Sequence, residues 1–423
     1  MEKEPNPNND SKKGTTIQTA DKIYNIESIE NANFGFVPSK KAFNVLLTKQ
    51  LINQIQEYHP KVKDFLNKIP ENFTDNWEKE KTYLNQAKGL VEENFVWVIS
   101  WQLRRLFAIG NRTASPEQTD DYLDQCLMTF KLTLQLISFS LIAHLWDEFN
   151  GKQPDPKSDL KVISSLFESK IELRPDQYVD SFKSLLKLYE VNNIALPFGE
   201  IKDIEDFHNE DGGFMKACNG FAEIREIYSQ SKQNPELCFL AEKHLASFLT
   251  SFKFLSNYQL ISMKKIEYDW QRNSEPRYLR QFNILGKNTK KSSSQQLLKY
   301  GKEPLNTYAL FLRSRMTKIN LFPFIIDYNS LTNEEGSKIC LLNYRSENRG
   351  LNYFFVDDES NHTIEFTGVM KVDDRDQVVE DDQQQNLKFD IVLSQFIDAQ
   401  NTILGTSDLF QFLGAQGSDF DNL

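Results

Sequence analysis

Residues 122–149 read YLDQCLMTFKLTLQLISFSLIAHLWDEF. Leu123, Leu127, Phe130, Leu134, Ile137, Leu141 and Leu145 recur at three- and four-residue steps on one helical face. Leu132, Leu136 and Phe139 carry the apolar surface round to the other faces. A helix that is apolar nearly all round is stable only when something encloses it. Lipid is one enclosure, but a spanning helix needs about 20 mostly apolar residues with few polar or charged groups. Lys131, Gln135 and His144 interrupt this stretch. The reading is therefore a buried central helix inside a helical domain, with no membrane.

The same period extends to both sides. Upstream, Leu46, Leu47, Leu51, Ile52 and Ile55 form a stripe that breaks at Pro60, and a second run covers Trp77 to Phe107. Downstream, a Pro-Asp loop (151–159) leads to shorter helices at 160–169 and 176–192, an acidic loop IKDIEDFHNEDGG (201–213) and a helix at 214–230. The next helix has a readable start, with Asn234 as N-cap, Pro235 at the first helical position and Glu236 in the first turn. Leu237, Leu240, Leu245, Phe248, Phe252 and Leu255 give it a buried stripe.

Helical signal holds to about Met263, and near residue 265 the period changes. The runs YLRQFNIL, YALFLRS, KINLFPFIIDY, KICLLNY, LNYFFVD and HTIEFTG are short and rich in β-branched and aromatic residues, with the turn formers NEEGS (333–337) and ENRG (347–350) between them. They predict a meander of antiparallel strands. Pro323 marks its strand as an edge or a bulge. GKNTKKSSSQQ (286–296) reads as a basic loop. The fold class is α+β: a flexible arm at 1–32, a helical domain at 33–265, a small antiparallel β domain at 266–372 and an acidic tail at 373–423. The tail holds a short amphipathic segment with Phe389, Ile391, Val392, Phe396 and Ile397.

Composition narrows the function. The 423 residues carry a net charge of −11, with a pI near 5.2. Strong bulk attraction to nucleic acid or an anionic membrane is thereby disfavoured. The four cysteines (Cys126, Cys218, Cys238, Cys340) include no CxxC pair and read as ordinary thiols in a reducing compartment, and the N-terminus is not a secretory signal. The expected location is cytoplasmic.

No P-loop, GxGxxG, HExxH or GxSxG occurs. The five histidines have no metal-ligand spacing, and neither a metal nor a cofactor is expected. Arg104, Arg105 and Arg112 form a small positive cluster suited to a phosphate or an acidic partner, or to snorkelling from a packed helix. Lys299, Tyr300 and Lys302, with the loop Lys287 to Lys291, offer a basic contact for RNA or simply a solvated loop. Tyr353, Phe354, Phe355 and Arg345 would line a nucleotide pocket if they are not strand core.

The segment FAEIREIYSQSK (221–232) resembles the motif helix of the HEPN fold, a helical domain widespread in prokaryotic conflict systems. There an Arg, usually followed by Asn, precedes a His by about five residues. The resemblance implies that His performs acid–base chemistry on RNA while Arg steadies the phosphate. Here Arg225 matches the Arg and Tyr228 a common aromatic position. Glu226 stands in place of Asn and Gln230 in place of His. Glutamine exchanges no proton near neutral pH, so the resemblance implies a catalytically dead copy.

The expectation is a non-enzymatic regulatory, sensor or adaptor subunit of a bacterial antiphage or toxin–antitoxin-like system. It would bind a protein partner, an effector encoded nearby, through surfaces that include Arg104, Arg105, Arg112, Arg225 and Gln230. RNA, a nucleotide or a second copy of the chain stay open as further partners. The alternatives are a metal-independent ribonuclease, with Arg225 and Tyr228 served by His208 or His244, and a nucleotide or second-messenger sensor.

Overall fold

The computed structural model describes residues 43–68, 77–110, 116–149, 152–155, 160–203, 212–230, 234–269, 277–286, 296–301, 310–314, 317–332, 334–347, 350–358, 362–366 and 380–406. The arm at 1–32, the core of the acidic loop with His208, Arg112, the Lys287–Lys291 loop, Lys302 and the tail segments 373–379 and 407–423 lie outside the described residues. The chain divides into two units. One is Met1–Lys41 with Ile69–Thr82, described only at 77–82. The other, Ala42–Lys68 with Tyr83–Leu423, holds everything discussed below.

In chain order the helices are α1 (Val45–Ile55), α2 (Pro60–Asn67), α3 (Trp77–Asn94), α4 (Trp97–Gly110), α5 (Pro116–Phe149), α6 (Lys161–Glu168), α7 (Pro175–Val191), α8 (Gly213–Gln230) and α9 (Pro235–Ser251). There follow β1 (Gln259–Asp269), β2 (Arg277–Leu285), β3 (Gln296–Gly301), β4 (Leu310–Arg313), β5 (Lys318–Asn320), β6 (Ile325–Asp327), α10 (Tyr328–Leu331), β7 (Ile339–Arg345), β8 (Leu351–Phe355), β9 (Thr363–Phe366) and α11 (Glu380–Leu404). The α+β class read from the sequence is the class observed.

Helix α5 is long and apolar enough to cross a bilayer, yet 89% of its apolar window is covered by the protein itself. Helices α4, α7 and α9 pack along it, as do β5 and α11. Several of its polar residues are satisfied within the helix itself. Thr129, Thr133 and Ser140 donate their hydroxyls to the carbonyls of Gln125, Thr129 and Leu136 one turn back. This i−4 pattern lets a hydroxyl be buried without a tertiary partner. Around Phe130 the rings of Phe221 and Phe248 lie with centroids at 4.3 and 4.6 Å. Further along, Phe139 stacks on Phe324 at 5.6 Å, and Phe167 and Phe396 close over the same ring at 5.9 and 6.2 Å.

Helices and sheets are also joined by polar bonds. Gln135 Nε2 donates to the Leu342 carbonyl. Gln102 Nε2 donates to that of Val356 at 3.3 Å, and the Arg345 amide to that of Ser169 at 2.8 Å.

The strands form two antiparallel sheets, ordered β3-β2-β1-β4-β5 and β6-β7-β8-β9, in place of the single meander expected. KINLFPFIIDY is split accordingly. Pro323 lies in the turn between β5 and β6, an edge strand of each sheet. Having no N–H to give to a ladder, it sits where one sheet ends and the next begins. Strand β1 starts at Gln259, inside the run read as helical. The C-terminal helix α11 spans 25 residues, longer than the short segment expected. Val392, Phe396, Ala399 and Ile403 are its buried stripe.

One buried cluster fixes where the chain enters the core. Glu242 of α9 is 1% exposed. It accepts the amides of Asn44 and Leu47 at 2.9 and 3.0 Å and so caps the N-terminus of α1 from a helix nearly 200 residues away. The Tyr122 hydroxyl lies 3.0 Å from Glu242 and 2.8 Å from Asn44 Oδ1. Asn44 adopts the left-handed conformation, φ 70°, which asparagine tolerates better than most residues. It packs so closely on Gly110 that a Cβ there would fall 2.0 Å from its amide nitrogen. Burial holds the Glu242 carboxyl above its usual range, opposed by the bonds from Leu47, Asn44 and Tyr122.

Replacing Glu242 with Ala leaves two buried amides without an acceptor and is expected to cost roughly 3 kcal/mol or more, whereas Tyr122→Phe should cost about 1 kcal/mol. Urea midpoints of the two variants test this ranking; equal costs would mean that the carboxylate does not pin α1.

Candidate functional site

Helix α8 presents one edge to α7, another to α9 and a third to solvent. Arg225 points at α7. Its Nη1 lies 3.2 Å from Asp176 Oδ1, and Asp176 Oδ2 accepts from Arg174 at 2.7 Å. The Arg225 and Asp176 side chains are 38% and 44% exposed, so the pair contributes at most about 1 kcal/mol. Tyr228, one turn on and half-buried, hydrogen-bonds Asp124 of α5. Loss of water and then the carboxylates Asp124, Asp120 and Asp121 push its phenol up to about 12. A phenol held so firmly protonated is a poor base. Gln230 is the last residue of α8.

His244 comes from α9 and packs on a different face of α8. Its ring covers Gly220, where a Cβ would stand 2.3 Å from the imidazole. The Phe221 ring lies 6.2 Å away. Five residues separate Gly220 from Arg225, roughly 140° around the helix at 3.6 residues per turn. Burial, aided by Lys243, lowers the His244 pKa to about 4. The imidazole is thus neutral near pH 7 and fills a glycine notch.

The other described histidines are engaged elsewhere. His59 Nε2 meets the Ser256 carbonyl at 3.0 Å. His362 Nδ1 lies 2.7 Å from Asp358. His144 Nδ1 lies 3.0 Å from the Tyr189 hydroxyl. The Tyr189 hydroxyl also lies 2.9 Å from the Leu141 carbonyl, and His144 Nε2 lies 3.7 Å from Glu148.

The Arg104 guanidinium lies over the Trp101 ring at 5.2 Å and pairs with Glu92 at 3.4 Å. This is the snorkelling arrangement. Arg105 is half-buried on the same helix. Tyr353 is fully buried and donates to the Pro323 carbonyl at 2.6 Å; Phe354 and Phe355 are buried too. Arg345 donates to Gln400 of α11 at 3.0 Å. These β residues are core and strut, not the lining of a pocket.

Sequence reading missed a second buried cluster. Asp327, fully buried at the end of β6, accepts from Ser262, from Lys264 Nζ at 2.6 Å and from the Lys338 amide at 2.9 Å. Lys264 also reaches Ser330 Oγ at 2.8 Å. A serine beside a lysine suggests a nucleophile and its base. Burial lowers the Lys264 pKa below the usual lysine value, an effect the pairing with Asp327 only partly offsets. The ion pair and its hydrogen bonds tie β1 to β6 and α10. The signal was an Asp closing the apolar run FPFIID, with its partners some 65 residues upstream. Among the described residues no group of three or more His, Cys, Asp or Glu could hold a metal ion, and the four cysteines are buried and free.

The solvent edge of α8 remains. Ala222, Glu223, Glu226 and Ile227 are exposed, Ile227 by 42%. Asp121 and Asp124 of α5, also exposed, adjoin through Tyr228. This edge offers an exposed apolar side chain ringed by negative charge.

The His244 notch has a pH signature. The unfolded chain takes up a proton near pH 6.5, and the folded chain only near 4. This group's share of stability is complete above about pH 6.5 and is lost as the pH falls towards 4. In His244→Gln the drop in thermal midpoint between neutral pH and pH 4 to 5 should be shallower than in the parent; an unchanged pH profile would contradict the assignment. No family model, curated protein or solved structure matches this chain.

Proposed function

We propose that the chain is a non-enzymatic regulatory, sensor or adaptor subunit of a bacterial defence system of the antiphage or toxin–antitoxin kind. It acts in the cytoplasm through protein–protein contacts, and its helical part is a degenerate HEPN-like domain. One observation carries the reading. The imidazole that α9 brings to α8 is packed into the Gly220 notch with its pKa near 4, while Arg225 is turned to Asp176. A ribonuclease of this kind needs an acid–base group beside the phosphate-binding cation. Among the described residues no histidine stands there.

The acidic edge with Ile227 at its centre suits a partner with a basic, partly apolar surface. Charge complementarity of this kind sets partner choice and association rate, and a central apolar anchor supplies affinity. Tagged full-length chain recovered from its native host should carry one stoichiometric protein, and Ile227→Arg should release that protein while the chain's thermal midpoint stays unchanged. A chain that runs alone under every condition, including challenge of the host by phage, would refute the proposal.

A further inference from the structure

Lys264 and Asp327 meet under conditions that a surface ion pair does not offer. Strand β1 belongs to the five-stranded sheet and β6, which ends at Asp327, to the four-stranded one. Lys264 is the extra residue of a bulge: Met263 lies opposite Phe282 and Lys265 opposite Gln281, and Lys264 is skipped. Bulges re-aim a side chain. This one sits just past Ser262, where β1 ends its pairing with β4. Lys264 Nζ lies 2.6 Å from Asp327 Oδ2, and the two side chains are 13% and 0% exposed.

Each polar atom of the pair has a defined neighbour. Asp327 Oδ1 accepts the Lys338 amide at 2.9 Å. Oδ2 accepts the Ser262 hydroxyl at 2.5 Å as well as the Lys264 ammonium. Nζ also donates to Ser330 Oγ at 2.8 Å. One group beside them is left over. Asn283 of β2 lies directly opposite Ser262, which puts both side chains on one face of the sheet. Asn283 is 3% exposed, and its Oδ1 has no hydrogen-bond partner. A buried acceptor without a donor is costly, and the ion pair gives no reason for it.

An amine and a carboxyl held in contact away from water are also the two reactants of an amide. We infer that Lys264 and Asp327 condense to an intramolecular isopeptide bond, which staples one sheet to the other. A proton passes from the ammonium to Oδ2 within the pair, so no free base is drawn on. The neutral amine forms the Nζ–Cγ bond, the Cγ–Oδ2 bond breaks, and Oδ2 leaves as water with the second proton that Nζ gives up. Nothing is oxidised or reduced, and no co-reactant enters. Fixed contact replaces a bimolecular encounter, and exclusion of water suppresses hydrolysis of the product. Burial, which lowers the Lys264 pKa, favours the neutral amine. The surroundings fit the course of the reaction. The Lys338 amide is placed to steady charge developing on Oδ1, and Ser262 to pass a proton to the departing Oδ2. They also fit the product. Oδ1 keeps the Lys338 amide, the remaining Nζ hydrogen keeps Ser330, and Ser262, released when Oδ2 leaves, can donate to Asn283 Oδ1. The site is separate from α8 and does not depend on the reading given to that helix.

Intact-mass spectrometry of the denatured full-length chain tests the inference. The parent should be lighter than its sequence by one water. Lys264→Arg keeps the positive charge but cannot form this amide, and it should show its full mass. A tryptic digest of the parent should contain one branched peptide that joins Lys264 to Asp327, with no cleavage after Lys264. A parent chain of full sequence mass overturns the inference, whether or not any variant folds. So does a loss of water that persists in Lys264→Arg, or one without the branched peptide, as from a succinimide at Asp211 and Gly212.

Discussion

The structure depends on enclosing a helix that has no polar side to turn to water. Within the 34-residue α5, residues 129–143 are buried on every face, and burying apolar surface yields about 25 cal/mol per Å². Helices α4, α7 and α9 cover only part of that circumference. Phe139 is met by Phe324 from the turn between the sheets, and Phe324 is covered in turn by Phe167 and Phe396. The β strands and the C-terminal helix are thus part of the wall around α5. Gln135, on the same helix, reaches the Leu342 carbonyl and satisfies in the core a group that would otherwise be costly there.

Two buried carboxylates close this wall, and each shows why a charge can lie inside it. Glu242 holds the start of α1, and Asp327 joins the two sheets through Ser262 and Lys264. Buried charges survive only when their lone pairs are filled. The Asp327 partners come from two separate segments, and Asn44 and Leu47 from a third. Removing one partner leaves the others stranded, so these clusters give the fold specificity more than net stability. The same bonds that make them tolerable in the interior leave neither a free base nor a bare nucleophile.

Much of the helical half could be read from period alone. α1, α6, α7 and α8 lie within a residue or two of their expected positions, and the Asn234 side chain accepts from the Glu236 amide as its N-cap pattern implies. What could not be read was set by distant contacts. The run from Trp77 to Phe107 breaks at Phe95 and Val96, where no Gly or Pro marks the end. β1 was hidden because LISM continues the apolar run of α9, and only pairing with β2 and β4 makes it a strand. α11 looked short because its first residues are polar, while its stripe is completed by Ala399 and Ile403. Arg225 could be named from sequence, but its partner Asp176, 49 residues away, could not. His244 could be named from sequence, yet only the packing of α9 on Gly220 shows what the imidazole does.

The account of α8 is therefore one of a helix whose Arg225 is held by Asp176 and Tyr228 by Asp124, with the adjacent imidazole packed into a glycine notch. Its remaining surface is acidic and partly apolar, the character of a contact face. The most direct test is to incubate purified full-length protein with labelled RNA without added metal and follow the products on a sequencing gel. The account predicts no cleavage above buffer and no difference between the parent and Arg225→Ala. Cleavage by the parent that disappears in Arg225→Ala would contradict it.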